Sequence, residues 1–225
     1  MQCRLPALNG RSGVFSLPFN AVSTVFISFE GIDGSGKTTQ VQRLARTLRE
    51  HGRDVVLVRE PGGTPLSEEI RSLLLDPNAL VSPHAELFLF TAARAQLVRD
   101  VIQPVLEAGA VVIADRYTDS TLAYQGAGRG VCDVQTLRLI QSCATRGLEP
   151  DLTLLFDLDP ALALARRSRR GEGQDRMEQS DPDFYRRVRD GYLAIARHEA
   201  RIHILDATET EDDLEARVAT LVVPN

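Results

Sequence analysis

The sequence predicts an α/β fold, a five-stranded parallel sheet with helices on both faces. Two patterns carry that expectation. Five short runs rich in Val, Ile, Leu and Phe (25–29, 54–59, 110–114, 151–158 and 202–205) alternate with longer stretches of helical periodicity. Strand–helix–strand alternation returns each strand parallel to the last. The runs are apolar throughout rather than at every second residue, as in strands covered on both faces. No internal repeat or linker divides the 225 residues, so 24–225 is expected to form a single domain.

The first run leads into Gly31-Ile32-Asp33-Gly34-Ser35-Gly36-Lys37-Thr38-Thr39, and Val41, Leu44, Ala45 and Leu48 then recur at helical spacing. This is G-x-x-x-x-G-K-[ST] in a strand–loop–helix setting. Glycines let backbone N–H groups curl around phosphate oxygens, and the helix start adds unpaired donors and a positive dipole end. Lys37 is expected at the β/γ-phosphates and the Thr38 hydroxyl at a Mg²⁺ ion. The composition sharpens this reading: of 26 Lys plus Arg, Lys37 is the sole lysine. A planar guanidinium does not replace a compact ammonium in a tight phosphate loop.

The second run, 54–59, breaks into Glu60-Pro61-Gly62-Gly63-Thr64, a sharp loop after a strand. Helices are expected over 67–75 and 86–106, the latter carrying Arg94 and Arg99 and ended by Gly109. The third run closes on Asp115-Arg116-Tyr117. A helix over 134–146 precedes the fourth run, and Pro160 suits the start of a helix over 161–166. The basic, glycine-containing stretch 166–176 breaks the pattern. Helix 184–200, the fifth run and helix 214–221 complete the chain.

Composition narrows the classes of function. A hydrophobic share of 43% and a charged share of 25% suit a soluble globule. The net charge of −5 argues against a nucleic-acid partner, and no apolar run is long enough to cross a bilayer. Cys3, Cys132 and Cys143 are odd in number and lack a C-x-x-C, which points to a reducing cytoplasm. His51, His84, His198 and His203 have no zinc-ligand spacing. Residues 1–23, with Pro6, Gly10, Gly13 and Pro18, are expected to be a disordered extension or to reflect an upstream start codon. They lack the long apolar core and small-residue cleavage site of a secretory signal.

Together FEGIDGSGKTT, REPGGT, FTAAR, DRYTDSTLAYQ, RRGEGQDRMEQ and LDAT resemble bacterial thymidylate kinase, over nearly everything from Val25 onward. The resemblance implies a P-loop nucleoside-monophosphate-kinase fold with a short lid over about 167–180. It implies Mg²⁺-dependent transfer of the ATP γ-phosphoryl group to dTMP, and a homodimer. The residue pattern alone leaves two alternatives: another nucleoside-monophosphate or deoxynucleoside kinase, and a partner-dependent P-loop ATPase. An N-K-x-D guanine motif is impossible with one lysine.

Physically, the transfer brings two polyanions together. Each unit pair at ~4 Å repels by about 4 kcal/mol even at an effective dielectric near ~20. Cations and positioning must offset this, and Lys37, Mg²⁺, Arg116 and the basic stretch are the candidates. Asp115 ends an apolar strand, where a metal-organising carboxylate is expected. Asp157 also ends one, but Asp159-Pro160 beside it suggests helix capping, and the resemblance favours Asp115. Asp33 would repel phosphate, so it is expected to point away from the loop, toward the acceptor. With no arginine among Ile32, Asp33, Gly34 and Ser35, the chain resembles the class whose catalytic arginine comes from the lid: Arg167, Arg170 or Arg176.

The remaining assignments follow from the resemblance. Phe90 and Arg94, four apart and so on one helix face, are expected to stack on thymine and donate to its carbonyl. Ser120, Thr121, Tyr124 and Gln125, at helix-like spacing, are implied as base and sugar contacts, with Tyr124 crowding a ribose 2′-hydroxyl. A cis Glu60-Pro61 bond is implied, aiming Arg59 at the acceptor phosphate. Ala207 and Thr208 are implied at the adenine, and Glu178 as a lid carboxylate near the acceptor.

Overall fold

The structure, a computed structural model, describes residues 24–170, 176, 177 and 179–222. The expected N-terminal extension, Glu178 and the side chain of Arg170 lie outside the described residues.

Strands β1 (Phe26–Glu30), β2 (Val55–Arg59), β3 (Val111–Asp115), β4 (Leu152–Asp157) and β5 (Ile202–Asp206) form one sheet in the order β2-β3-β1-β4-β5. Every pairing is parallel, with Phe29 opposite Asp115 on one side of β1 and Leu154 on the other. Side chains alternate between two cores. Ile27, Phe29 and Ile113 face one apolar cluster with Val41, Leu44 and Leu48, whereas Phe26, Val112 and Ala114 face another with Leu97, Val98 and Ile102. Both faces are buried, as continuous apolar runs require.

Local chemistry sets the helix boundaries. Helix α1 (Lys37–Glu50) starts directly after left-handed Gly36. Helix α2 (Pro65–Leu75) begins two residues before the sequence expectation, because the Thr64 hydroxyl accepts from Ser67 N and Pro65 fits the first turn. Ser82 caps α3 (Pro83–Leu97) in the same way. Its axis continues through a π-helical turn (Val98–Ile102) into α4 (Gln103–Glu107), which completes the expected long helix. From sequence, 120–125 shows only helix-like spacing. The structure has α5 (Thr118–Thr121) followed by a π-helical segment, Leu122–Gly128.

Asp133 and Asp181 cap α6 (Val134–Thr145) and α8 (Pro182–Ala196). Between them α7 (Pro160–Arg170) runs into the basic stretch, and α9 (Glu211–Val222) closes the chain against α1. Arg43 on α1 holds α9 through Glu211, Asp212 and Glu215. The order β3-β1-β4 puts the loops after these three strands at one sheet edge, where the chain changes direction. In open α/β sheets ligands bind there.

Candidate functional site

The loop after β1 fits its turn only as glycine. Gly31 has φ +134°, and a Cβ there would lie 2.5 Å from Phe156 O; at Gly34, φ +89°, it would lie 2.7 Å from Ala163 O. The loop closes around Lys37, whose buried Nζ donates to Ile32 O at 3.0 Å. Burial presses this ammonium down to about 8, and Arg116 adds to the effect. Thr38 Oγ1 donates to Asp115 Oδ2 at 2.7 Å across the mouth of the loop, so the two residues read as a metal pair are adjacent. A hydroxyl that donates to a carboxylate keeps its lone pairs available, and two such oxygens suit a hard divalent cation. The rival Asp157 is occupied: both its oxygens accept from Arg189.

Arg116 adopts φ +76°, rare for a residue with a side chain. Two hydrogen bonds fix the turn, Arg116 N to Phe29 O at 3.0 Å and Tyr117 N to Glu30 Oε1 at 2.8 Å. The guanidinium thereby lands between the loop and a neighbouring cavity. Its Nη2 donates to Asp33 Oδ1 (2.8 Å) and the Tyr124 hydroxyl (3.1 Å), and its Nη1 to Ser120 Oγ (3.1 Å) and the Tyr192 hydroxyl (3.2 Å). Burial alone would raise the Asp33 carboxyl, but Arg116 and then Lys37 override it and hold it well below the usual range. Asp33 thus stays ionised and paired with Arg116, and it lines both the loop cavity and the neighbouring one.

The neighbouring cavity lies between α2, α3 and α5, walled by Asp33, Pro61, Phe90, Tyr124, Gln125 and Met177 among others. Glu60-Pro61 is cis. The site reading needs two corrections here. Arg59 does not line this cavity; its guanidinium pairs with Glu68 in the first turn of α2. The α2 arginine in the wall is Arg71, one turn further along the helix than Glu68, donating to Pro61 O at 2.9 Å. Arg94 does line the cavity but is buried and already engaged. Its Nε donates to Glu60 (2.6 Å), Nη1 to Thr121 and Gln141, and Nη2 to Tyr117 O (3.0 Å). At most one N–H remains for a ligand. Burial raises the Glu60 carboxyl, with Arg94 opposing.

The lid candidates separate. Arg167 reaches the loop cavity beside Gly34, Lys37 and Thr38, its guanidinium 4.7 Å above the Tyr185 ring. Arg176 is on the other side, paired with buried Glu86 at 2.8 Å and donating to Leu74 O. Glu86 also accepts from Gln125. A third cavity opens beyond the loop, lined by Ser35, Thr39, Gln40, Arg166, Ala207 and Thr210 among others. Arg166 donates to Ala207 O at 3.0 Å. Thr208 is not part of that lining; its hydroxyl donates to Asp206.

The thymidylate kinase family model matches residues 29–218. The chain belongs to the thymidylate kinase family. A thymidylate kinase of Deinococcus radiodurans is 53% identical over 195 residues, spanning 86% of this chain and 94% of the relative. One from Chlorobaculum tepidum is 48% identical over 207 residues, spanning 88% and 96%. The crystal structure of thymidylate kinase from Ehrlichia chaffeensis superposes with a TM-score of 0.72 at 35% identity, covering 89% of this chain and 99% of that one.

Within this thymidylate kinase fold, the sequence reading missed Glu30, Tyr192, Arg71 and Glu86. Glu30 had a signal. It is an acid at the end of a wholly apolar strand, and an acid so placed must find partners. The other three carry none, because their roles depend on which helices meet.

Proposed function

We propose that this chain transfers the γ-phosphoryl group of ATP to dTMP, giving dTDP and ADP. One observation carries the reading: Asp33 lines both the phosphate-loop cavity and the aromatic cavity, and Arg116, in the wall of the second, donates to it at 2.8 Å. A donor phosphate in the loop and an acceptor phosphate at the cavity mouth would then meet at one guanidinium.

ATP chemistry implies Mg²⁺. Thr38 and Asp115 would hold it, and when bound it supplies neutralising charge to the β- and γ-phosphates. Among the described residues no group of three or more His, Cys, Asp or Glu could hold an ion alone, which suits one carried chiefly by phosphate and water. The loop N–H groups and Lys37 bind the donor phosphates. Arg116 steadies the transferring group, and Asp33 keeps Arg116 charged and directed. Of the lid arginines whose side chains are described, Arg167 lines the loop cavity and neutralises charge as the two ends meet, while Arg170 remains a second candidate.

The base of dTMP would lie on Phe90, near Thr121 and Gln125, with Arg94 forming a rigid cationic wall and Arg71 facing the acceptor phosphate. Tyr124 would crowd a 2′-hydroxyl. Ala207 would line the adenine site. Glu178 would approach the acceptor from the lid.

The test is an acceptor screen with ATP and Mg²⁺. dTMP should exceed dUMP, dCMP and dGMP, and ATP should be consumed only when acceptor is present. Hydrolysis indifferent to dTMP would instead support a partner-dependent ATPase.

We also infer a homodimer. Leu66 and Leu73 on α2, Phe88 on α3 and Leu139 on α6 are exposed on helices that pack side by side. Light scattering should give twice the chain mass. A cytoplasmic setting without nucleic-acid partners suits the net charge of −5, and no helix among the described residues is long and apolar enough to cross a membrane.

A further inference from the structure

Glu30 has no place in the transfer just described, yet it is fully buried at the end of β1 beneath Arg116. Its two oxygens hold different things. Oε1 accepts from Tyr117 N at 2.8 Å, the bond that closes the positive-φ turn at Arg116. Oε2 accepts from Ser120 Oγ at 2.6 Å and from the Tyr192 hydroxyl at 2.9 Å. Those same two hydroxyls accept from Arg116 Nη1. A guanidinium only donates and a carboxylate only accepts. The two hydroxyls are also 2.8 Å from each other, so with Glu30 ionised at least one sends its proton to Glu30, the other to Glu30 or to its neighbour, and both turn lone pairs to Arg116.

We propose that Glu30 is a positioning residue for phosphoryl transfer, fixing Arg116 twice: its backbone through Tyr117 N and its guanidinium through the polarity of the Ser120 and Tyr192 hydroxyls. The inference rests on the proposed kinase activity. It adds that the direction of two hydroxyl dipoles, set from below, keeps the guanidinium where two phosphates meet. Glu30 itself touches no substrate.

The carboxyl of Glu30 is raised to about 7, by burial first and then by the nearby Asp119 charge, with Ser120 and Arg116 opposing. Lys37 from α1 and the Tyr192 phenol from α8 also face it. When Glu30 is protonated its own O–H can donate, and the direction of the hydroxyls is no longer fixed.

Glu30→Gln is the test. The amide keeps the shape and an acceptor for Tyr117 N, but presents N–H groups to the hydroxyls and turns their protons toward Arg116. We expect kcat to fall about 10- to 100-fold, the scale for lost outer supporting partners. Tm should change by less than about 4 °C. Combined with Arg116→Ala, the loss should be no greater than that of Arg116→Ala alone, because both act through one group. Unchanged kcat, or losses that multiply, overturns the proposal. If Glu30→Gln yields no folded protein, Tyr192→Phe removes one relay hydroxyl and faces the same two criteria. Parent enzyme that makes no dTDP would sink the kinase reading instead, which separates the two failures.

Discussion

The two sides of the phosphate loop are built differently. On the side of Phe90 and Tyr124, buried polar groups are cross-linked in advance: Arg94 by Glu60, Thr121, Gln141 and Tyr117, and Arg116 by Asp33, Tyr124, Ser120 and Tyr192. On the side of Ala207, the wall is made by loop residues such as Gly34 and Gly36 and by side chains such as Arg166 and Arg169, with Thr208 outside the lining. The lesson is that discrimination is invested where the acceptor is proposed to sit. Preorganised partners distinguish substrates sharply, since a wrong group leaves buried donors unpaired. The opposite wall needs only to hold a base by surface contact.

Arg116→Ala should give the largest effect. Removing a guanidinium from transferring phosphate costs about 10³-fold or more in comparable transfers. Coupled ADP release at saturating ATP and dTMP measures it, and circular dichroism should show an intact fold. A kcat within tenfold of the parent would mean that the cross-linked side does not act in the chemistry.

Glu60→Ala tests whether that side is held together by charge. The change strands Arg94, only 2% exposed, without its carboxylate. Breaking a buried pair from one side costs about 3–5 kcal/mol. Urea denaturation should show the loss. Glu60→Gln, which keeps an acceptor, should lose less. Equal losses would place the cost in packing rather than in the stranded cation.

Arg167→Ala and Arg176→Ala divide the lid. With Arg167 at the loop cavity, its loss should lower kcat about 100-fold, the low end for such arginines after discounting for Arg170 and Arg116. Arg176 braces Glu86, which in turn holds Gln125, so its loss should raise KM for dTMP and move kcat by no more than about threefold. The reverse pattern would exchange their roles.

How much of this was legible beforehand follows physical lines. Strands and most helices could be read because burial and helix-start chemistry leave local marks, such as the apolar run at β3 or Pro160 at the start of α7. Lys37 and Thr38 could be read because the phosphate loop fixes their spacing, whereas Asp115 was an acid ending an apolar strand that only the resemblance favoured over Asp157. Glu30 shows the limit: its partners are Tyr117, Ser120 and Tyr192, residues that only the sheet order brings together. Arg59 and Arg71 show another. Both are arginines near the Pro61 loop; Arg59 pairs with Glu68, and Arg71 is the one of the two that lines the cavity.

The smallest effect tests the loose side. Thr208 lies beside Ala207 in sequence, but its hydroxyl and its N–H both bond Asp206, at 2.7 and 2.9 Å, in a turn exposed to solvent. That pairing holds the Asp206 carboxyl below its ordinary value, the Thr208 hydroxyl being the chief cause. Thr208→Ala keeps the backbone donor and removes only the side-chain bond. The bond goes to an ionised carboxylate, but it lies in water, which screens it, and outside the cavity lining. KM for ATP should therefore change by less than about twofold, with kcat and the dTMP preference intact. Loss of ATP affinity beyond about tenfold would mean that this wall, too, reads its ligand through a fixed side chain, and the contrast between the two sides would fail.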